Sequence, residues 1–204
     1  MKKIIFTALM TLCAFTFTMA QYNEGIKVNF KGNKPNISDF VTAVLSQEEL
    51  GEGLGGMVEI WEKHLKGQPL PKGHKITVDA KNGYVSYEYT LEEENQNSII
   101  EFCYWNCSDG QHKLLGQNQK VFINGEYIET ELTGTTFYMY TDKTRLMKYV
   151  YTSDLGDEVV PPQNSVLIEL KLPRVGKSIE YVFKTPSGVV TKKITWNGKK
   201  FVKG

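Results

Sequence analysis

From Lys75 onward apolar and polar side chains alternate with a period of two, whereas before it apolar residues recur three and four apart. A chain that changes period in this way divides into a helical beginning and a β-rich remainder. Ile26, Val28 and Phe30 alternate with polar neighbours and predict a short opening strand, ended by the loop Gly32-Asn33-Lys34-Pro35-Asn36. Ser38 is expected to cap a helix bearing Phe40, Val41, Val44 and Leu45. Leu54, Met57, Val58, Trp61 and Leu65 predict a second helix, closed by Gly67 and Pro69. Both helices, over about residues 38–66, present apolar stripes suited to packing on a sheet.

The β-rich part reads as a series of hairpins. Residues 76–78 and 84–89 flank Lys81-Asn82-Gly83, and residues 99–106 turn at Asp109-Gly110 into residues 113–115. Residues 121–123 and 127–132 flank Asn124-Gly125, and residues 136–140 turn at Asp142-Lys143-Thr144 into residues 146–151. Residues 179–184 turn at Pro186-Ser187-Gly188 into residues 189–196, and Trp196 and Phe201 flank Asn197-Gly198. The predicted fold class is α+β: two N-terminal helices packed on a large antiparallel β-meander over about residues 75–203, arranged as a two-layer sandwich or a barrel-like sheet. Uneven spacing of the units argues against a propeller or solenoid. In the last hairpin, a two-residue Asn197-Gly198 turn pairs Trp196 with Lys199 and Ile194 with Phe201. Trp196, Ile194 and Phe201 then face the core, while Thr191, Lys193, Thr195 and Lys200 face water.

The start of the chain predicts its destination. Lys2 and Lys3 precede an apolar run over residues 4–17, and Thr18-Met19-Ala20 supplies small residues three and one positions before a cut ahead of Gln21. Residues 1–20 therefore read as a signal peptide and residues 21–204 as a single α+β domain in the periplasm or outside the cell. Leu12 before Cys13 is too large for a lipoprotein site, and no later segment reaches the roughly 18 apolar residues of a membrane span. Without Lys2 and Lys3 the chain carries 22 basic and 23 acidic side chains, a net charge of −1. The charge is unevenly placed: residues 171–204 hold nine cations against Glu180 alone, +8, so residues 21–170 carry −9. Mutual neutralisation across the fold accounts for this, and the functional alternative is a basic face for an anionic partner.

Cys103 and Cys107 are the cysteines of the mature chain, and export makes them a candidate disulfide. On a continuous strand their Cα atoms would lie about 13 Å apart at ~3.3 Å per residue, beyond the roughly 7 Å a disulfide spans. A bridge therefore requires a bend at Asn106. Three intervening residues and Ser108 in place of histidine exclude c-type haem attachment.

Other motifs fail on context. Gly51-Glu52-Gly53-Leu54-Gly55-Gly56 has the letters of a dinucleotide fingerprint, but a helical pattern precedes it where a strand is needed, so it reads as a break between helices. Gly176-Lys177-Ser178 lacks the first glycine of a phosphate loop, and a strand pattern follows it. Glu101 and Asp109 flank the cysteines and oppose a thiolate, which disfavours Cys107 with His112 as a nucleophile and base. His64, His74 and His112 have no metal-ligand spacing, and Asp154, Asp157 and Glu158 do not match an EF-hand. No catalytic residue, metal or cofactor is assigned.

Two surfaces are candidates for binding. Phe102, Tyr104 and Trp105 on one strand, with Phe137, Tyr138, Tyr140, Tyr149 and Tyr151 on another hairpin, place aromatic side chains on both faces. Burial on both sides explains them, and an exposed platform of Tyr104, Trp105, Tyr138 and Tyr140 for sugar rings or a protein is the alternative. The basic candidate is Lys184, Lys193 and Lys200.

The segment Cys103-Tyr104-Trp105-Asn106-Cys107-Ser108-Asp109-Gly110, the terminal Thr195-Trp196-Asn197-Gly198-Lys199-Lys200-Phe201 and the signal ending Met19-Ala20 resemble those of uncharacterised exported proteins of Bacteroidota. The resemblance implies a compartment and a fold, and no site. The sequence thus points to an exported, non-catalytic binding or interaction module for an envelope or extracellular glycan or protein. The glycan would be anionic or bound by aromatic stacking, and the alternative is a secreted hydrolase whose site assembles only in three dimensions. No nucleic acid partner is expected, and nothing in the sequence speaks to oligomeric state.

Overall fold

Asn36, rather than Ser38, starts the first helix. Its Oδ1 accepts from Ser38 N at 2.8 Å and Asp39 N at 3.2 Å, while Asp39 Oδ2 accepts from Asn36 N at 2.8 Å, a reciprocal capping box. Helix α1 (Ile37–Leu45) follows, then α2 (Glu52–Leu65). The computed structural model describes residues 25–47, 52–129 and 133–203. The expected signal peptide and its cut before Gln21, Gly51, and the end of the strand expected over residues 127–132 lie outside them. Gly53, Gly55 and Gly56 stand in the first turns of α2, so this glycine run opens a helix instead of separating two. Met57, Ile60 and Trp61 form the buried stripe, whereas Leu65 in the last turn is 54% exposed. Trp61 Nε1 donates to Thr42 Oγ1 at 3.0 Å and ties α2 to α1.

The large sheet contains β1 (Ile26–Lys27), β2 (His74–Asp79), β3 (Tyr84–Leu91), β4 (Gln96–Asn106), β5 (His112–Ile123), β6 (Glu126–Ile128), β7 (Gly134–Thr141) and β8 (Leu146–Val150). Its order is β1-β8-β7-β5-β4-β3-β2, with β6 folded back on the end of β5. A second sheet, β9 (Val166–Lys171), β10 (Ser178–Thr185), β11 (Gly188–Trp196) and β12 (Phe201–Lys203), has the order β12-β11-β10-β9. All strand pairs are antiparallel, and each expected hairpin forms. The α+β class is the observed one, with two helices packed on a large curled antiparallel sheet.

The meander divides into two sheets, so the large sheet is buried on both faces. Val85, Tyr87, Phe102, Leu115 and Tyr140 pack against the helices. Tyr84, Cys103, Trp105, Leu114 and Phe137 pack against Ile179, Ile194, Trp196 and Phe201 of the second sheet. Neighbouring residues such as Phe102 and Cys103, or Leu114 and Leu115, enter opposite cores because strand side chains alternate. This accounts for the two-sided aromatic density of β4 and β7, whereas Tyr149 and Tyr151 are exposed.

The last hairpin differs in register. Asn197 Oδ1 accepts from Lys199 N at 2.9 Å and Lys200 N at 3.0 Å, and Asn197 N donates to Lys200 O at 3.1 Å. These bonds close a longer loop, so Trp196 pairs with Phe201 instead of Lys199, and Thr195 pairs with Val202. A slip of two residues keeps every side chain on its face. Trp196, Ile194 and Phe201 are accordingly all buried, and the Trp196 and Phe201 rings lie 5.1 Å apart.

Candidate binding site at the edge of the second sheet

The outer face of the second sheet carries Lys184 and Lys193. Ile179 and Phe183 of β10 and Ile194 and Trp196 of β11 turn inward, so Glu180, Lys184, Thr191, Lys193 and Thr195 turn outward. Lys193 pairs across the ladder with Glu180, and its amine lies 2.6 Å from that carboxylate. Lys184 pairs with Val189, four ladder positions away, or about 13 Å at ~3.3 Å per residue. Lys200 sits in the loop beyond the strand end. The three expected lysines therefore do not converge.

Lys193 instead meets other cations. It lines a groove of about 570 Å³ with Val159, Val160, Thr191, Lys192 and Lys203. It also borders a hollow of about 300 Å³ with Lys171, Val175, Lys177 and Glu180. The segment's ion pairs are Lys171–Glu169, Arg174–Asp79 and Lys193–Glu180. Among the described residues its other six cations have no carboxylate partner within 4.0 Å, so neutralisation across the fold is partial.

The acidic loop following β8 shapes this groove. Gly156 adopts φ +116° and approaches β12 so closely that a Cβ would lie 2.3 Å from Phe201 O. Asp157 N donates to Phe201 O at 3.0 Å, and Asp157 Oδ2 accepts from Lys203 N at 3.0 Å. Asp157 thus covers the outer edge of β12. Lys192 Nζ reaches Val160 O at 2.7 Å.

The aromatic platform does not exist. Trp105, Tyr138 and Tyr140 are 4%, 6% and 0% exposed, so their rings belong to the two cores. Tyr104 is half-buried, edge-on to Phe40 at 5.5 Å and covered by Lys113 Nζ at 4.8 Å from its centroid.

Sequence reasoning missed a buried polar cluster between the sheets. Glu101 Oε1 accepts from Tyr84 OH at 2.9 Å, and its Oε2 accepts from Asn118 Nδ2 at 3.2 Å and pairs with Lys120 Nζ at 3.1 Å. Lys120 also lies 3.4 Å from Glu169. Asn118 Nδ2 donates to Leu170 O at 3.0 Å, and its Oδ1 accepts from Thr135 Oγ1 at 3.1 Å. Burial and the Glu101 charge push the Tyr84 hydroxyl well above the usual tyrosine range. Both Glu101 oxygens are engaged within the protein, so the cluster ties sheet to sheet. The visible signal was the polar run Gln117-Asn118-Gln119-Lys120 inside a strand flanked by apolar neighbours.

Cys103 and Cys107 are free thiols, because β4 runs unbent through Asn106 and keeps them apart. Burial raises the Cys103 pKa well above the usual value, and burial with the Asp109 charge pushes Cys107 up to about 11. His112 is held by Asp109, Nδ1 to Oδ2 at 2.7 Å. Neither thiol is a nucleophile of the activated kind. Among the described residues no group of three or more His, Cys, Asp or Glu side chains is placed to hold a metal ion, and no helix is long and apolar enough to cross a membrane. No protein-family model, curated protein or solved structure matches this chain.

Proposed function

We propose that this chain is an exported, non-catalytic binding module that takes an anionic partner on the basic edge of its second sheet. The observation that carries the reading is the groove bordered by Lys192, Lys193 and Lys203. Six lysines and no acid occur between Lys184 and Lys203, which favours attraction of polyanions. Export rests on the basic, apolar and small-residue pattern of residues 1–20 and on the likeness to exported proteins of Bacteroidota. Sugar recognition by stacking on these rings loses its support, because Trp105, Tyr138 and Tyr140 are within the cores. The hydrolase alternative draws no support from Glu101, which is buried and bound to Tyr84, Asn118 and Lys120.

The test is retention of residues 21–204 on a sulfated polysaccharide over a range of salt concentrations, compared with a Lys177→Glu, Lys193→Glu, Lys203→Glu variant. Counterion release predicts weaker binding and a shallower salt dependence for the variant. Equal affinity and equal salt slope in the two proteins would overturn the reading.

A further inference from the structure

Two sulfur atoms meet just past the C-terminal end of β4. Cys107 Sγ lies 3.8 Å from Sδ of Met139 on β7, 32 residues further along the chain. Cys107 N donates to His112 O at 3.0 Å, which carries the β4–β5 ladder one position past Asn106 and Lys113 and sets Cys107 opposite His112. Leu114 pairs with Met139 on the other side of β5. Cys107, Leu114 and Met139 all pack on the core between the sheets. Strand alternation puts His112, two residues before Leu114, on that same face. Thiol and thioether are brought together by the strand order β7-β5-β4.

The neighbouring imidazole keeps one nitrogen free. His112 Nδ1 lies 2.7 Å from Asp109 Oδ2, while Asp109 Oδ1 accepts from Gln111 N at 2.9 Å and from His112 N at 3.0 Å. The carboxylate thus fixes the ring from within the turn, as carboxylates do behind metal-bound histidines. A ring that donates from Nδ1 carries its lone pair on Nε2, and among the described residues Nε2 has no hydrogen-bond partner. Cys107, His112 and Met139 are half-buried, so an ion from solvent reaches this corner of the core. Cys103, on the same face of β4, is sealed inside at 2% exposure.

We propose that Cys107 Sγ, Met139 Sδ and His112 Nε2 bind a soft monovalent cation of the copper(I) class. The inference goes beyond the anionic-partner reading, and no residue of the basic groove takes part. At ~2.3 Å from each sulfur, a cation between atoms 3.8 Å apart closes an S–metal–S angle of about 110°, the tetrahedral value. The two sulfurs therefore stand at ligand spacing without movement of the backbone. Thiolate with thioether selects copper(I) over hard cations. On binding, the thiol proton passes to solvent and the cation takes its place, so one thiolate and one monovalent ion form a neutral unit. A divalent ion would leave a positive charge at the edge of an apolar core, where Asp109 is already engaged by His112 and two backbone N–H groups. With a thioether as its third donor, the set is not one for zinc or calcium.

The test is competition for copper(I) between bicinchoninate and residues 21–204, reduced and free of oxygen, with Cys107→Ser, Met139→Leu and Asp109→Asn variants alongside. The expected result is one ion per chain, lost in Cys107→Ser. Met139→Leu nearly conserves volume and keeps both thiols, so its circular dichroism should be unchanged while its affinity falls about tenfold or more. Asp109→Asn keeps an oxygen for the loop N–H groups but not the carboxylate behind His112, and should weaken binding by about 10- to 100-fold. X-ray absorption of the loaded parent should show two sulfur neighbours at ~2.3 Å and one nitrogen at ~2.0 Å. Equal affinity of Met139→Leu and the parent would overturn the site and leave an adventitious ion on a lone thiol. A spectrum with a single sulfur neighbour would overturn it as well, whether or not the variants fold. Binding unchanged by Asp109→Asn, with no nitrogen in the spectrum, would overturn the three-donor set.

Discussion

Replacing Lys120 with methionine removes the cation that joins the two sheets. The Lys120 side chain is 5% exposed and the Glu101 side chain 9%, with 3.1 Å between amine and carboxylate. Glu169 retains Lys171 at 3.0 Å after the substitution, whereas Glu101 keeps only the neutral donors Tyr84 and Asn118. A buried charge deprived of its partner costs about 3–5 kcal/mol, against roughly 0–1 kcal/mol for an exposed pair. In a domain stable by about 5–15 kcal/mol that is a large fraction, and it corresponds to a Tm lowered by about 6–20 °C. Urea unfolding followed by tryptophan fluorescence is a direct assay, since Trp105 and Trp196 both lie in the core beside this cluster. Adding Glu101→Leu to Lys120→Met should recover more than half of the loss, because the stranded charge is then gone. A Lys120→Met loss below about 1 kcal/mol, or a double variant as unstable as the sum of the singles, would refute the argument.

Phe201→Ala should cost about 3–5 kcal/mol in the same urea assay, since the ring lies 5.4 Å from Trp105, 5.8 Å from Phe137 and 5.1 Å from Trp196; a loss under about 1 kcal/mol would contradict the register of the last hairpin. Native protein should contain two free thiols, with Cys107 alkylated slowly at a rate rising about tenfold per pH unit up to its pKa of about 11, and Cys103 reacting only on unfolding. Recovery of a Cys103–Cys107 disulfide by mass spectrometry would refute the unbent path of β4.

Local signals in the chain determined its elements. The change of apolar spacing near Lys75 separated helices from strands, and the turn residues at Asn82-Gly83, Asp109-Gly110, Asn124-Gly125 and Pro186-Ser187 placed the hairpins, because helix and strand periods and turn conformations are properties of neighbouring residues. The facing of Trp196, Ile194 and Phe201 was legible for the same reason and survived a slip of two positions. What depends on distant residues was not legible. Burial of the aromatic strands on both faces was the first reading of their pattern, but which hairpins form the second sheet, and so which core Trp105, Tyr138 and Tyr140 each enter, follows from which hairpin packs on which face. Lys120 meets Glu101 across the strand ladder and Glu169 across 49 residues of sequence, and Arg174 reaches Asp79 across 95. The basic site changed membership for the same cause: the sequence put Lys184, Lys193 and Lys200 on one segment, and only the path of residues 156–160 beside β12 placed Lys193 with Lys192 and Lys203 along one groove. Alternation fixes which way a side chain points, but the partner it finds there is set by the closure of the chain in three dimensions.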